Sequence, residues 1–116
     1  MVLRDKKAPS RSPRVKLATP SVYVVQLGFG PKIKSLILID ELRRQGINVM
    51  QNLASDSLSA QLRDAEAREM KYVVIIGQKE YVEGTVILRN MVGRNQENID
   101  ISSLPGRLKR SIAVTV

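Results

Sequence analysis

The sequence predicts an α/β domain built on a largely parallel sheet, and three observations carry that prediction. From Ser21 onward, short runs rich in β-branched residues alternate with amphipathic stretches of helical period. The run Tyr72-Val73-Val74-Ile75-Ile76 is apolar throughout, which suits a central strand covered on both faces. A hydrophobic content of 43% in 116 residues is enough for one packed core and sets a single domain as the folded unit.

The first strand is expected over residues 22–27 and is broken by Gly28-Phe29-Gly30-Pro31. Pro31 suits the first turn of a helix, where its missing N–H has no intrahelical partner, so a first helix is expected over about residues 31–45. Ile33, Leu36, Ile37 and Leu42, widened by Leu38 and Ile39, give it a broad apolar face, and Gly46 can end it in the left-handed conformation. A short strand over residues 47–50 follows. Asp56 or Ser55 can cap a second helix in which Leu58, Leu62 and Ala65 recur at helical spacing, ending near Lys71. After the central strand and a connection over residues 77–84, residues 85–89 and a segment near 98–101 read as two further strands. The turn around Gly93-Arg94-Asn95 makes them a hairpin, so at least one strand runs antiparallel. A last helix can begin at Ser102 or Ser103. Pro105 and Gly106 leave its bounds open, and residues 112–116 can instead add a strand.

Residues 1–20 combine Pro9, Pro13 and Pro20 with serines and clustered charge, a composition that predicts a disordered basic tail or linker ahead of a domain over residues 21–116. Arg4, Lys6, Lys7, Arg11, Arg14 and Lys16 against Asp5 place +5 of the net +8 there and leave +3 for the rest. Such basicity favours polyanions, nucleic acid above all, through counterion release; a solubilising tail accounts for those residues equally well. With neither cysteine nor histidine, disulfides, zinc centres and histidine-based catalysis are excluded. No apolar run approaches the roughly 20 residues of a membrane span, and the charged, proline-rich start does not read as a secretory signal, so a cytoplasmic protein without membrane association is expected. The Gly28-Phe29-Gly30 loop lacks the third glycine of a dinucleotide fingerprint, Ile33 standing in its place, and there is no Walker-type Gly-Lys-Ser/Thr.

The segments Leu42-Arg43-Arg44-Gln45-Gly46-Ile47-Asn48-Val49, Ser57-Leu58-Ser59-Ala60-Gln61-Leu62-Arg63-Asp64-Ala65, Tyr72-Val73-Val74-Ile75-Ile76-Gly77-Gln78-Lys79-Glu80 and Gly84-Thr85-Val86-Ile87-Leu88-Arg89-Asn90 occur in this order over residues 22–110. Each is weak alone. Their order and spacing resemble the anticodon-binding domain of class IIa aminoacyl-tRNA synthetases, the histidyl version most of all. The resemblance implies a three-layer α/β/α fold around a five-stranded mixed sheet. It also implies a tRNA anticodon-loop recognition module that supports aminoacylation by a separate catalytic domain. Asn52 departs from the pattern, standing where the family often has an acidic residue.

Reading an anticodon requires hydrogen bonds to unstacked base edges, stacking, and cationic contacts to phosphate. By resemblance, Glu80 is the first choice for base recognition, because a carboxylate can accept both the N1–H and the amino protons of a guanine; otherwise it is a solvated loop carboxylate. Arg89 suits a base or a phosphate, with an ion pair to a neighbouring strand as the competing explanation. Ser55 and Ser57 stand before the second helix, where recognition and plain capping explain them equally well. Tyr81 is the aromatic expected to be exposed for stacking, whereas Tyr23 and Tyr72 alternate with core residues. Arg63, Asn90, Arg94 and Gln96 are further tRNA contacts or solvated surface.

The implied partner is tRNA, histidine tRNA through its anticodon stem-loop; no cofactor and no metal are expected. A second reading is a non-catalytic synthetase paralogue that uses the fold for dimerisation, as a homodimer, or for regulatory tRNA sensing. A third, a small enzyme using Asp40/Glu41 or Glu80/Glu83 as acid–base groups, lacks a recognisable nucleophile or metal partner.

Overall fold

A computed structural model describes residues 22–115, with side chains through 111, so the expected basic tail over residues 1–20 lies outside the described residues. The chain runs β1 (Val22–Gln26), α1 (Phe29–Arg44), β2 (Val49–Gln51), α2 (Leu58–Ala67), β3 (Tyr72–Ile76), α3 (Gln78–Glu83), β4 (Thr85–Asn90), β5 (Asn95–Asp100), a 3-10 turn (Ile101–Ser103) and α4 (Leu104–Thr115). The strands form one five-stranded mixed sheet in the order β2-β1-β3-β4-β5. β1 is parallel to both β2 and β3, while β3/β4 and β4/β5 are antiparallel.

Side chains leave alternate faces of a strand, and here each face has its own core. Val22, Val24, Tyr72, Val74, Ile76, Val86 and Leu88 pack beneath Leu38, Ile39 and Leu42 of α1 and Leu104 and Leu108 of α4. Tyr23, Val25, Val73 and Ile75 pack beneath Ala65 of α2 and Met70. The layers are therefore α/β/α, with β1 and β3 buried at every position.

The helix ends explain where the element bounds differ from expectation. α1 begins two residues before Pro31, on Gly28, whose carbonyl accepts from Lys32 N at 3.0 Å. Pro31 is still within the first turn, so its missing N–H costs no intrahelical bond. At the other end Gly46 (φ 83°) donates to Arg43 O and Ile47 to Leu42 O, both at 3.0 Å, a Schellman closure that consumes Ile47 and delays β2 to Val49. α2 is capped by Ser57, not by Asp56 or Ser55: its hydroxyl accepts from Ala60 N at 3.2 Å. The same helix stops at Ala67, short of Lys71, because Glu69 turns left-handed (φ 56°) while its N–H reaches Glu66 O and that of Met70 reaches Ala65 O.

One expectation is overturned: the connection over residues 77–84 contains a helix, α3. Of the two outcomes left open at the carboxyl end, the helix is the one seen, α4 running through residue 115. Pro105 is the second residue of α4, where it is tolerated for the same reason as Pro31. The hairpin is longer than expected, with β5 beginning at Asn95 and pairing with β4 along its whole length.

Candidate nucleic-acid interface

The carboxyl ends of β1, β2 and β3 share one edge of the sheet, where the amino-termini of α1, α2 and α3 also lie. Loop 52–57, between β2 and α2, is held there by buried carboxamides. Gln61 of α2, fully buried, accepts from Gln26 N at 3.2 Å and donates through Nε2 to Gln26 O at 3.1 Å, Ser55 O at 3.1 Å and Ser57 O at 3.2 Å. Gln26 Nε2 in turn donates to Asn52 O at 3.1 Å and Ser55 O at 3.4 Å. Gln51 Nε2 donates to Gln26 Oε1 at 3.1 Å and to Ser35 Oγ at 3.0 Å, and the Ser35 hydroxyl donates to Lys32 O at 2.7 Å. The chain of bonds thus ties α1, β2, β1 and α2 to the loop.

Sequence reasoning missed these glutamines. The available signal was a carboxamide at a position where the pattern calls for an apolar residue: Gln26 ends an apolar strand, and Gln61 sits on the face that carries Leu58, Leu62 and Ala65. Within the loop, Ser55 Oγ accepts from Ser57 N at 3.2 Å and Asn52 Oδ1 accepts from Ala54 N at 3.0 Å. Asn52 therefore provides an acceptor that a carboxylate in its place could also provide. Lys32 of α1 faces Asp56 at 3.6 Å.

Glu80 does not lie in an open loop. It is in the first turn of α3, 8% exposed, and Oε1 accepts from Gly77 N at 2.9 Å, satisfying an N–H at the helix start. The next residue, Tyr81, is 44% exposed and lays its ring over Gly30: a Cβ there would come within 2.7 Å of Tyr81 Cε2, so only glycine admits the ring. Phe29, beside Gly30, is 80% exposed. Two aromatic rings thus stand at this edge, while Tyr23 and Tyr72 are buried as expected.

Arg89 is elsewhere. It pairs across β4 with Val73 of β3 and across to Gln96 of β5, three residues, or about 10 Å of strand, from the carboxyl end of β3. Its neighbours on the same face, Ile87 and Met91, belong to the core beneath α2. The residue is half-buried, and its side chain makes no hydrogen bond or ion pair among the described residues, so the competing explanation, an ion pair to a neighbouring strand, is not seen there. Asn90, one residue on, is occupied with the hairpin: Oδ1 accepts from Val92 N and Gly93 N, both at 3.0 Å. Arg94 is exposed at φ 61° with its N–H on Asn90 O at 2.8 Å, and Arg63 is exposed on α2. The structure therefore gathers Ser55, Ser57, Glu80 and Tyr81 at one edge and Arg89, Asn90, Arg94 and Gln96 toward the hairpin.

Beneath α2, Tyr23 donates to Asp64 Oδ2 at 2.7 Å and Arg68 Nε to Asp64 Oδ1 at 3.0 Å. Burial, followed by the bond to Asp64, pushes the Tyr23 hydroxyl well above the ordinary tyrosine value. The same hydrogen bond, with Arg68, holds the Asp64 carboxyl below its ordinary range. No group of three or more acidic, histidine or cysteine side chains that could hold a metal occurs among the described residues. No helix among them is long and apolar enough to cross a membrane.

Known proteins share this architecture. The histidine–tRNA ligase of Dehalococcoides mccartyi (strain ATCC BAA-2100) is 35% identical over 96 residues, 83% of this chain and 23% of the ligase. That of Thermosipho africanus is 31% identical over 112 residues, 97% of this chain and 26% of the ligase. The chain thus spans about a quarter of the length of these curated relatives. The crystal structure of histidyl-tRNA synthetase from Nostoc sp. PCC 7120 superposes with a TM-score of 0.76 at 24% identity, covering 81% of this chain and 23% of that one. The RNA binding domain of threonyl-tRNA synthetase from Cryptosporidium parvum does so with a TM-score of 0.72 at 18% identity, covering 79% and 23%. Both attest the fold. The family model for the anticodon binding domain matches residues 22–111, the whole of the sheet and most of α4, and the chain belongs to the anticodon-binding domain family.

Proposed function

We propose that this domain binds the anticodon loop of a tRNA, the histidine tRNA by its likeness to histidine–tRNA ligases, and leaves aminoacylation to a separate catalytic domain. The observation that carries the reading is Arg89. Arg89 is partly buried on the sheet face that carries Ile87, Met91 and Val73, and without an anionic partner among the described residues its guanidinium is available to a phosphate or a base edge. Gln96 beside it adds a carboxamide able to donate and accept, and Arg94 and Arg63 add exposed cations. Across the sheet, Ser55, Ser57 and Tyr81 supply hydroxyls and a stacking ring at the other end of the loop's footprint. Asn90 serves by shaping the hairpin, and Glu80 by holding the start of α3 and offering its second oxygen to a base.

The test is titration with a histidine tRNA transcript and with transcripts altered only in the anticodon, at several salt concentrations. Anticodon changes are expected to cost about 1 kcal/mol or more per base. Arg89→Ala should weaken binding about ten-fold and lower the salt dependence by roughly one counterion. Transcripts that all bind alike, with Arg89→Ala indistinguishable from the parent, would remove the anticodon reading.

One observation favours a second reading, a protein-docking or dimerising role. Phe29, Ile33, Leu36 and Ile37 form an outward stripe on α1, opposite its core face, with Phe29 80% and Ile37 62% exposed. Contiguous exposed apolar surface of this kind marks association. A dimer in solution that Ile37→Asp dissociates would support it; a monomer at all concentrations would not.

A further inference from the structure

We propose that Gln26 and Gln61 are positioning residues that hold loop 52–57 in its RNA-facing conformation before any ligand arrives, which rests on the anticodon-loop reading above. A loop of six residues carries as many carbonyls, and a carbonyl turned outward repels phosphate and competes for the donors that RNA acceptors need. In this loop the carbonyls of Asn52 and Ser55 are turned inward onto the amide protons of the two glutamines, and that of Ser57, which accepts from Gln61 N in the first turn of α2, receives Gln61 Nε2 as well.

A carboxamide is the side-chain group suited to the task, because it presents a donor and an acceptor in one plane without charge. Gln61 uses both ends at once, closing on the N–H and the C=O of Gln26 as a neighbouring strand would, while its remaining donor capacity serves the loop. Gln51 fixes the sense of the arrangement: its Nε2 takes Gln26 Oε1, so the Gln26 amino group must face Asn52 and Ser55. Ser35, fully buried on α1, anchors Gln51 in turn. The hydroxyls of Ser55 and Ser57 are left to close turns along the loop, by accepting from Ser57 N and Ala60 N, at its solvent side. A loop ordered this way loses little conformational entropy on meeting its ligand, which is the thermodynamic advantage of preorganisation.

The experiment compares the full chain with Gln61→Met and with Gln51→Leu, which lies on the half-buried edge strand and removes the bond that orients Gln26 together with the one to Ser35 Oγ, leaving the bonds of Gln61 in place. Two quantities are read for each: the affinity ratio between the histidine tRNA transcript and an anticodon-altered transcript, and the amide exchange of Ala54, Ser57 and Ala60 in the free protein. The expected result is slow exchange in the parent, faster exchange in both variants, and a ratio that falls about ten-fold for Gln61→Met with the anticodon-altered transcript bound as before. Should Gln61→Met fail to fold, Gln51→Leu carries the test, with a smaller fall in the same direction. Exchange in the parent as fast as in an unstructured peptide overturns the proposal, as does an unchanged ratio in a folded variant. If the parent itself shows no anticodon preference, the functional reading fails, and with it the RNA-facing role of the loop; slow parent exchange lost in the variants would then leave a clasp that serves the fold alone.

Discussion

The hydroxyl of Tyr23, on a strand buried at every position, reaches out of the sheet to Asp64 of α2 at 2.7 Å. It is a polar tether through an otherwise apolar layer, and it fixes the rotation of α2 over β1. Tyr23→Phe keeps the ring and removes the tether, and Asp64 can recover part of the loss from water. The expected cost is about 1 kcal/mol, measured by chemical denaturation, with the mid-sheet packing unchanged.

The same pair contributes to both limbs of the pH dependence. Asp64 has a folded pKa below its ordinary value, so its contribution is present above the unfolded pKa of about 4 and is lost as pH falls through the folded value. Tyr23 has a folded pKa above its ordinary value, so the folded state disfavours its ionisation; stability is lost as pH rises past the unfolded pKa of about 10. Unfolding midpoints measured from pH 2 to 11 should fall at both ends, and Tyr23→Phe should flatten the alkaline limb.

Glu69 offers a stabilising change. It occupies the left-handed position of the closure at the end of α2, the place that Gly46 takes after α1. A side chain there costs roughly 1 kcal/mol relative to glycine, so Glu69→Gly should raise the unfolding free energy by about 0.5–1 kcal/mol. A decrease measured by denaturant titration would mean that the Glu69 side chain makes a compensating contact.

The fold was legible because most of its elements are long or strongly patterned. β1 and β3 are almost wholly apolar and α2 has a stripe of helical period, so the alternation of elements follows from the residues; α1 is apolar around much of its circumference, and of the face expected for it Leu38, Ile39 and Leu42 are buried while Ile33, Leu36 and Ile37 face outward. α3 was not legible: its six residues lie between Gly77 and Gly84, and the helix depends on Glu80 reaching back to Gly77 N and on Tyr81 packing over Gly30, far away in sequence. For the candidate site, residue types were legible and grouping was not. β4 runs antiparallel to β3, and that reversal carries Arg89 away from Glu80 toward the hairpin. The glutamines escaped notice because a hydrophobic pattern has no symbol for a buried amide whose partners are backbone groups on a strand and a loop distant in sequence.

Glu80 combines two roles that a pair of substitutions separates. Its Oε1 holds Gly77 N, a service that a glutamine oxygen can also perform. The second oxygen is what Glu80 offers to a base edge, and glutamine puts an amino donor in its place. Glu80→Gln should therefore keep the stability of the parent while losing anticodon preference about ten-fold. Glu80→Ala should lose both, with a stability cost of about 1 kcal/mol from the unsatisfied N–H at the start of α3. Denaturation curves beside tRNA titrations decide between the roles: if Glu80→Gln retains full anticodon preference, the residue acts through α3 alone, and the base contact must come from Tyr81 or from loop 52–57.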